Sequence, residues 1–573
     1  MRAIAFACAI CLAVIGCGSS GDHPDDSTAT LSIDPPATEL LIENGVFPTA
    51  DFTATLTYPN GDTRDATNEV RFSVDIGYGA FTANTLTMTS AGKTQVFATF
   101  LDKSANAQVI ARLKNTRVDP NAPQGAADWF ANNPEDPARA PTIVYPPADV
   151  VMPRNLGDFE VHWIDASAND VFEVSLKTEF ADVRVIVPGN NGVIANSTWM
   201  AFLAQEWLEA VSYEPSVQFQ VRGVNSANPT VIGSTQPQLV KLSNEQMLGG
   251  LYYWAATAAN NAPYGIFRHD MSHPGQPAEQ FYTTAQTGGR CVACHVLSRD
   301  GTKMAITYDG GGQKGTMVDV ASKMPQADTR TWNFGTFTPD GQNFLAVSAG
   351  TLYVLDYATQ ATVATMTASG TVTHPDLSPD GTKLVYVQRS GGGDWSFFGG
   401  KIIMRDYDAA MHTFGPEQTV IADTSNNYYP SFSPDGKWIL FNRAPNDPNT
   451  QGAYDNPYAS LWVAKAEPNA LAIELVKANS GLALTNSWGR WAPFAQTVGA
   501  ANDPMFWITL SSRRDFGVRL VGTKRPQIWM TPFFPNQMTN NADPSTQAFR
   551  LPFQNIDSNN HIAQWTEQVV NPQ

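Results

Sequence analysis

Cysteine is scarce in this 573-residue chain: five residues, of which Cys8 and Cys11 fall in an apolar leader and Cys17 directly follows it. Only Cys291 and Cys294 remain, so the chain is not built on a disulfide framework and the pair points to a chemical task. Charge is sparse too, at 16% of residues, and basic residues are outnumbered, 36 Lys and Arg against 53 Asp and Glu. No basic run is present, which argues against nucleic acid as a partner, because phosphate binding needs a basic face. After the leader no apolar run of about 18 or more residues follows, so no transmembrane helix is expected. Long helical patterns are also missing. Instead there are 43 glycines, 39 prolines and 11% aromatics, a composition of many short strands and turns.

Residues 1–16 combine Arg2 with an apolar run from Ala3 to Ile15, which reads as a secretory signal too short to span a bilayer. The ending "AVIGC" resembles the bacterial lipoprotein lipobox, which implies acylation of Cys17, with residues 17–28 as a tether. A plain signal peptide cut elsewhere is the alternative. By resemblance to lipoprotein sorting, Gly18 after the cysteine favours the outer membrane, on its periplasmic or surface face.

From 29 to 118 apolar and polar residues alternate, and Asn60-Gly61 marks a tight turn. The pieces "LSIDPPATELLIENG", "FTATLTYPNGDTRDATNEVRFSV" and "AGKTQVFATF" resemble bacterial Ig-like modules, which implies a β-sandwich. Residues 119–140 read as a linker. A second alternating region, 141–242, is similar to a fibronectin type III module, with one helix expected to start at Ser197.

At 247 the pattern becomes a repeat. "LSRDGTKMAI", "FTPDGQNFLAV", "LSPDGTKLVYV" and "FSPDGKWILF" begin at Leu297, Phe337, Leu377 and Phe432, with degenerate anchors at Trp491 and Trp565. Proline sets φ for the turn and glycine takes the left-handed position, so each motif closes a hairpin, and the spacing is that of a propeller blade. The "SPDG" anchors resemble TolB-type propellers. The expectation is an all-β chain of two sandwiches followed by a six-bladed propeller over 247–573, whose first strands pair with its last. On this reading deletion of residues 29–240 leaves the propeller folded.

"GGRCVACH" carries Cys291, Cys294 and His295 in the Cys-x-x-Cys-His spacing that tethers c-type haem through two thioethers and offers the histidine to iron. It resembles the attachment segment of c-type cytochromes, which implies one covalent haem c with His295 as the proximal ligand. A disulfide or a zinc half-site would use the same thiols, although no second cysteine pair exists. Only Val296 and Leu297 separate His295 from the first repeat turn, so the haem would sit on a blade rather than in a helical domain of its own. Aligning the anchors puts Cys294 level with Phe334, His374, Tyr429, Trp488 and Ile562, a ring around one end of the channel. His374, or nearby His561, is the candidate distal ligand. No nucleophile, triad or paired carboxylate stands out. The leading expectation is electron transfer with an unnamed redox partner; the alternatives are a surface protein whose propeller binds a protein or glycan, and a haem enzyme of peroxidase type.

Overall fold

A computed structural model describes residues 25–571 except 157–159, 190–191, 195–213, 258–262, 329, 448–451, 453, 455, 482–483 and 523–524. The leader, Cys17 and the helix expected from Ser197 lie outside the described residues. The chain is all-β and divides into two compact units, residues 1–114 and 115–573. Among the described residues no helix is long and apolar enough to cross a membrane.

The first unit is a small sandwich. Thr30–Asp34 pairs antiparallel with Thr53–Thr57, Ala37–Glu43 lies parallel to Gln108–Lys114, and alternation sends Ala54 and Leu56 inward while their neighbours face out. The second unit holds a second sandwich. Thr142–Tyr145, Val161–Ile164 and Gly192–Ile194 form one sheet, and Val171–Lys177, Ala181–Pro188, Ser216–Val224 and Gln238–Leu242 belong to the other.

The rest of the second unit is a ring of six sheets. Their inner strands are Val292–Leu297, Phe334–Phe337, Thr371–Leu377, Asn426–Phe432, Ser487–Val498 and, closing the ring, Ser558–Thr566. The last of these pairs antiparallel with Gly250–Thr257, so the sixth blade joins the end of the chain to the start of the repeat region. Closure gives the last inner strand a partner and completes the sixth sheet, so each innermost strand turns its one unpaired edge to the channel. Apolar clusters fill the space between blades, as where Leu345, Val347 and Leu352 meet Leu384, Tyr386 and Ile403.

The anchors are held by more than turn propensity. In the third blade the Ser378 hydroxyl donates to Asp380 (2.5 Å), Asp380 accepts the Thr382 N–H (3.0 Å), and Ser378 Oγ accepts the Lys383 N–H (2.9 Å). Gly381, at φ +72°, sits where a side chain would be strained. Ser298-Asp300, Thr338-Asp340 and Ser433-Asp435 repeat the hydroxyl-to-carboxylate bond. The aspartate is thus a hydrogen-bond hub for its own hairpin, which explains its recurrence.

The second sandwich is not independent of the propeller. The buried Glu160 carboxylate contacts His162 Nε2 (2.5 Å) and accepts from Arg519 of the fifth blade, and Tyr145 packs edge-on to Phe516 at 4.8 Å. Asn155 accepts the Met247 N–H and donates to the Met271 carbonyl. Deleting residues 29–240 would therefore uncover Phe516, which is 3% exposed, and strip Arg519 of its counter-ion. The expectation that the propeller ignores this deletion is revised: part of its fifth-blade surface is an internal interface.

Candidate functional site in the propeller channel

Five of the six inner strands place a side chain from their first or middle residues in the channel. In the third, fourth and fifth blades the strand is bulged there, the register slipping between Thr373 and Asp376, Tyr428 and Ser431, and Ser487 and Arg490. His374, Tyr429, Trp488 and, in the closing blade, Ile562 adopt φ between 49° and 57°. Left-handed backbone at large non-glycine residues costs about 1–3 kcal/mol each and persists only where the surroundings over-determine it. A bulge re-aims a side chain. Here bulge and left-handed backbone together turn His374, Tyr429, Trp488 and Ile562 toward one another.

The result is an aromatic plug. The Phe334 and His374 rings are 4.1 Å apart, His374 and Tyr429 4.2 Å, and Tyr429 and Trp488 4.3 Å, with Ile562 in the same cluster. Five of the six positions aligned by sequence meet as expected. Cys294 borders the plug but packs with Ala305, Met317, Trp332 and Phe337 between its own blade and the next.

Beside the plug lies a cavity of about 20 Å³ bordered by Cys294, His295, Phe334, His374 and Trp488. His295 is 2% exposed, and neither ring nitrogen has a hydrogen-bond partner, although backbone carbonyls of Tyr252, Ala293 and Ile562 surround the ring. Burial lowers its pKa to about 4. His374 accepts the Tyr429 N–H at Nδ1 (3.2 Å), its Nε2 is unpartnered, and burial holds its pKa well below the usual histidine value. His561 lies tilted against Trp254, ring centroids 4.6 Å apart, with Nδ1 unpartnered and a pKa lowered by burial to about 3. Cys291 is half-buried with its thiol pKa raised by burial and by Asp309; burial pushes Cys294 up to about 12. Both cysteines are free thiols, and among the described residues no group of three or more potential ligands is arranged to hold a metal ion.

The donors match haem c in kind: two free thiols and a neutral, unpartnered imidazole. Their placement does not. Cys294 faces the following blade while His295 faces Tyr252 and Ile562 of the closing blade. A cavity of about 20 Å³ has room for roughly one water, far below a porphyrin. Among the described residues, this strand arrangement does not accommodate haem between His295 and His374.

Two residues beyond each plug position lies a second layer that the sequence reading passed over. Thr336, Asp376, Ser431, Arg490 and Gln564, with Val296 in the first blade, line a cavity of about 150 Å³ on the anchor side of the plug. All six blades contribute to it, and Trp491, Trp565, Phe337 and Phe432 form part of its wall. Asp376 accepts the Phe432 N–H (2.8 Å), and desolvation raises its pKa to about 6, opposed by Arg490. Arg490 is shifted the other way, downward, by desolvation. The signal was available: the residue two past each aligned ring position is polar in five of six repeats, and an inner strand alternates its faces.

No family model matches the sequence, and no curated protein matches it. Solved structures similar to the chain include a putative TolB from Agrobacterium tumefaciens, at 14% identity, 56% of this chain, 99% of that chain and TM-score 0.33. TolB from Acinetobacter baumannii is 12% identical, with 87% of this chain and 99% of that chain covered and TM-score 0.38. Kuenenia stuttgartiensis hydrazine synthase is 12% identical, with 59% and 93% covered and TM-score 0.28. The sheets and the channel define a six-bladed β-propeller protein.

Proposed function

We propose that the protein is an exported, lipid-anchored envelope protein that acts as a binding scaffold, with the anchor side of its propeller channel as the ligand site. The observation that carries the reading is the convergence of five polar side chains, one from each of five blades, on one cavity. A few convergent polar groups in a concave, partly aromatic site are what ligand recognition needs. Export and the anchor rest on residues 1–17.

Gln564→Trp tests the site, because Gln564 lines the cavity and belongs to none of the apolar clusters described above, so the larger ring is expected to fill the cavity. Wild-type protein is expected to gain thermal stability with at least one member of a panel of small polar compounds and short peptides, following the ligand's affinity. The variant is expected to melt normally and lose that response. A response retained in Gln564→Trp would place binding elsewhere and overturn the reading.

A second reading is favoured by the motif and by the unpartnered His295 ring: haem c tethered by Cys291 and Cys294, with electron transfer as the role. It requires residues 288–297 to leave the strand arrangement described above. A pyridine haemochrome spectrum of protein exported in a haem-attaching host decides. Under the second reading covalent haem survives a denaturing gel and is lost in the Cys291→Ala, Cys294→Ala double variant; under the first, wild-type protein carries none.

A further inference from the structure

The channel cavity holds two opposite charges that do not meet. Arg490 and Asp376 both line it, from the fifth and third blades. The hydrogen bond made by the Arg490 guanidinium runs from Nη1 to the carbonyl of its neighbour Gly489, at 3.1 Å, and Asp376 acts on it through space without an ion pair. The other arginine at this cavity, Arg299, contrasts with it, because Glu567 neutralises it directly. Asp376 accepts the Phe432 N–H at Oδ2 (2.8 Å) and a long bond from the Thr336 hydroxyl at Oδ1 (3.5 Å), and the Ser431 hydroxyl also favours its charged form, but no cation pairs with it among the described residues.

Two separated charges in a poorly hydrated space are costly, and each is best relieved by an opposite charge brought to it. Desolvation pushes both toward neutrality, Asp376 upward and Arg490 downward. A monoanion would relieve Arg490 and be repelled by Asp376; a cation would do the reverse. A molecule with a carboxylate and an ammonium a few ångströms apart relieves both. The planar guanidinium suits a carboxylate, donating two parallel N–H bonds to its oxygens. The volume sets the size: about 150 Å³ is the space that takes a benzene-sized molecule, roughly six heavy atoms. Trp491 and Trp565 hold their indole N–H groups on Ser431 and Thr509, leaving apolar ring surface for a short side chain.

We propose that the anchor side of the channel binds a small zwitterion, a free α-amino acid, with its carboxylate on Arg490 and its ammonium on Asp376. This deepens the channel-binding reading and rests on it. Large anions are disfavoured because Arg490 is the one guanidinium lining the cavity without a carboxylate partner among the described residues, and by the net charge of −17.

The test is titration calorimetry on the full chain at pH 7.5 with small free amino acids, their N-acetyl derivatives and their carboxamides. At least one free amino acid is expected to bind, and its N-acetyl and carboxamide forms at least tenfold more weakly. Arg490→Gln and Asp376→Asn are each expected to lose tenfold or more for the zwitterion. Asp376→Asn should lose nothing for the N-acetyl form, a readout a merely destabilised variant would not give. Equal binding of the free and N-acetyl forms would overturn the role of Asp376, and equal binding of the carboxamide that of Arg490. Binding of other compounds in the channel, abolished by Gln564→Trp, with no response to any free amino acid, would sink this proposal and leave the channel reading standing. If nothing binds in the channel, both fail.

Discussion

A chain ending at Asp557 is expected to lose the closed propeller and to aggregate. The missing segment carries the inner strand Ser558–Thr566, which pairs with Gly250–Thr257 and brings Ile562, Ala563 and Trp565 into the core. Its loss would expose an edge of the Gly250–Thr257 strand and the facing side of the fifth blade, where Thr509 receives the Trp565 indole and Ser511 Oγ accepts the Ile562 N–H. Beyond it, Val570 offers its carbonyl to Arg268, and Glu567 pairs with Arg299, so the tail also ties the first and closing blades together. Burying two or three large apolar side chains is worth several kcal/mol, at about 1.5–3 kcal/mol each, and exposed edges template association. The measurement is soluble yield and size-exclusion profile beside a control lacking only residues 571–573, which should behave as wild type. A monomeric truncated protein with an unchanged melting temperature would show that the ring does not depend on its closing strand.

Acid is expected to destabilise the second unit already between pH 7 and 5, above the usual range of carboxylate titration. His269, His295, His374 and His561 are all buried, and burial lowers each: His269 and His295 to about 4, His561 to about 3, and His374 well below its usual value. A histidine held neutral when folded titrates near 6.5 when unfolded, so its contribution is complete above that value. As pH falls below 6.5 the unfolded chain binds protons that the folded one refuses, and stability drops until the folded pKa is reached. The slope is about 1.4 kcal/mol per pH unit per histidine. Asp376 acts in the opposite sense: raised to about 6, it favours the folded state as pH falls from about 6 toward its unfolded value. Glu214, raised to about 7 by desolvation, acts in the same sense as Asp376, so four histidines against two carboxyls leave a net loss of about 4 kcal/mol between pH 7 and 5, a large fraction of the stability of an ordinary domain. Urea midpoints at pH 7, 6 and 5 report it. His269→Phe, which keeps the stacking on Phe553 now made at 3.8 Å, should flatten the profile by about one histidine's share. A midpoint independent of pH over this range would refute the neutral, buried state of these rings.

The propeller was legible because its information is local and repeated. Pro-Asp-Gly turns at regular spacing, followed by alternating strands, fix hairpins without reference to the rest of the chain, and two unfinished ends imply their own pairing. The ring of Phe334, His374, Tyr429, Trp488 and Ile562 was legible for the same reason, since equivalent positions in a repeat occupy equivalent places. What lay beyond sequence was decided by direction and distance. A motif read as a string brings Cys294 and His295 together, but on this strand they face different blades, and the space left beside them is that of one water. The Glu160, His162 and Arg519 contact joins residues more than 350 positions apart, which no local pattern announces. Arg490 and Asp376 are ordinary strand residues in the sequence. Only closure of the ring carries both to the same cavity and leaves them unpaired, because the separation of two charges is a property of the fold and not of the chain.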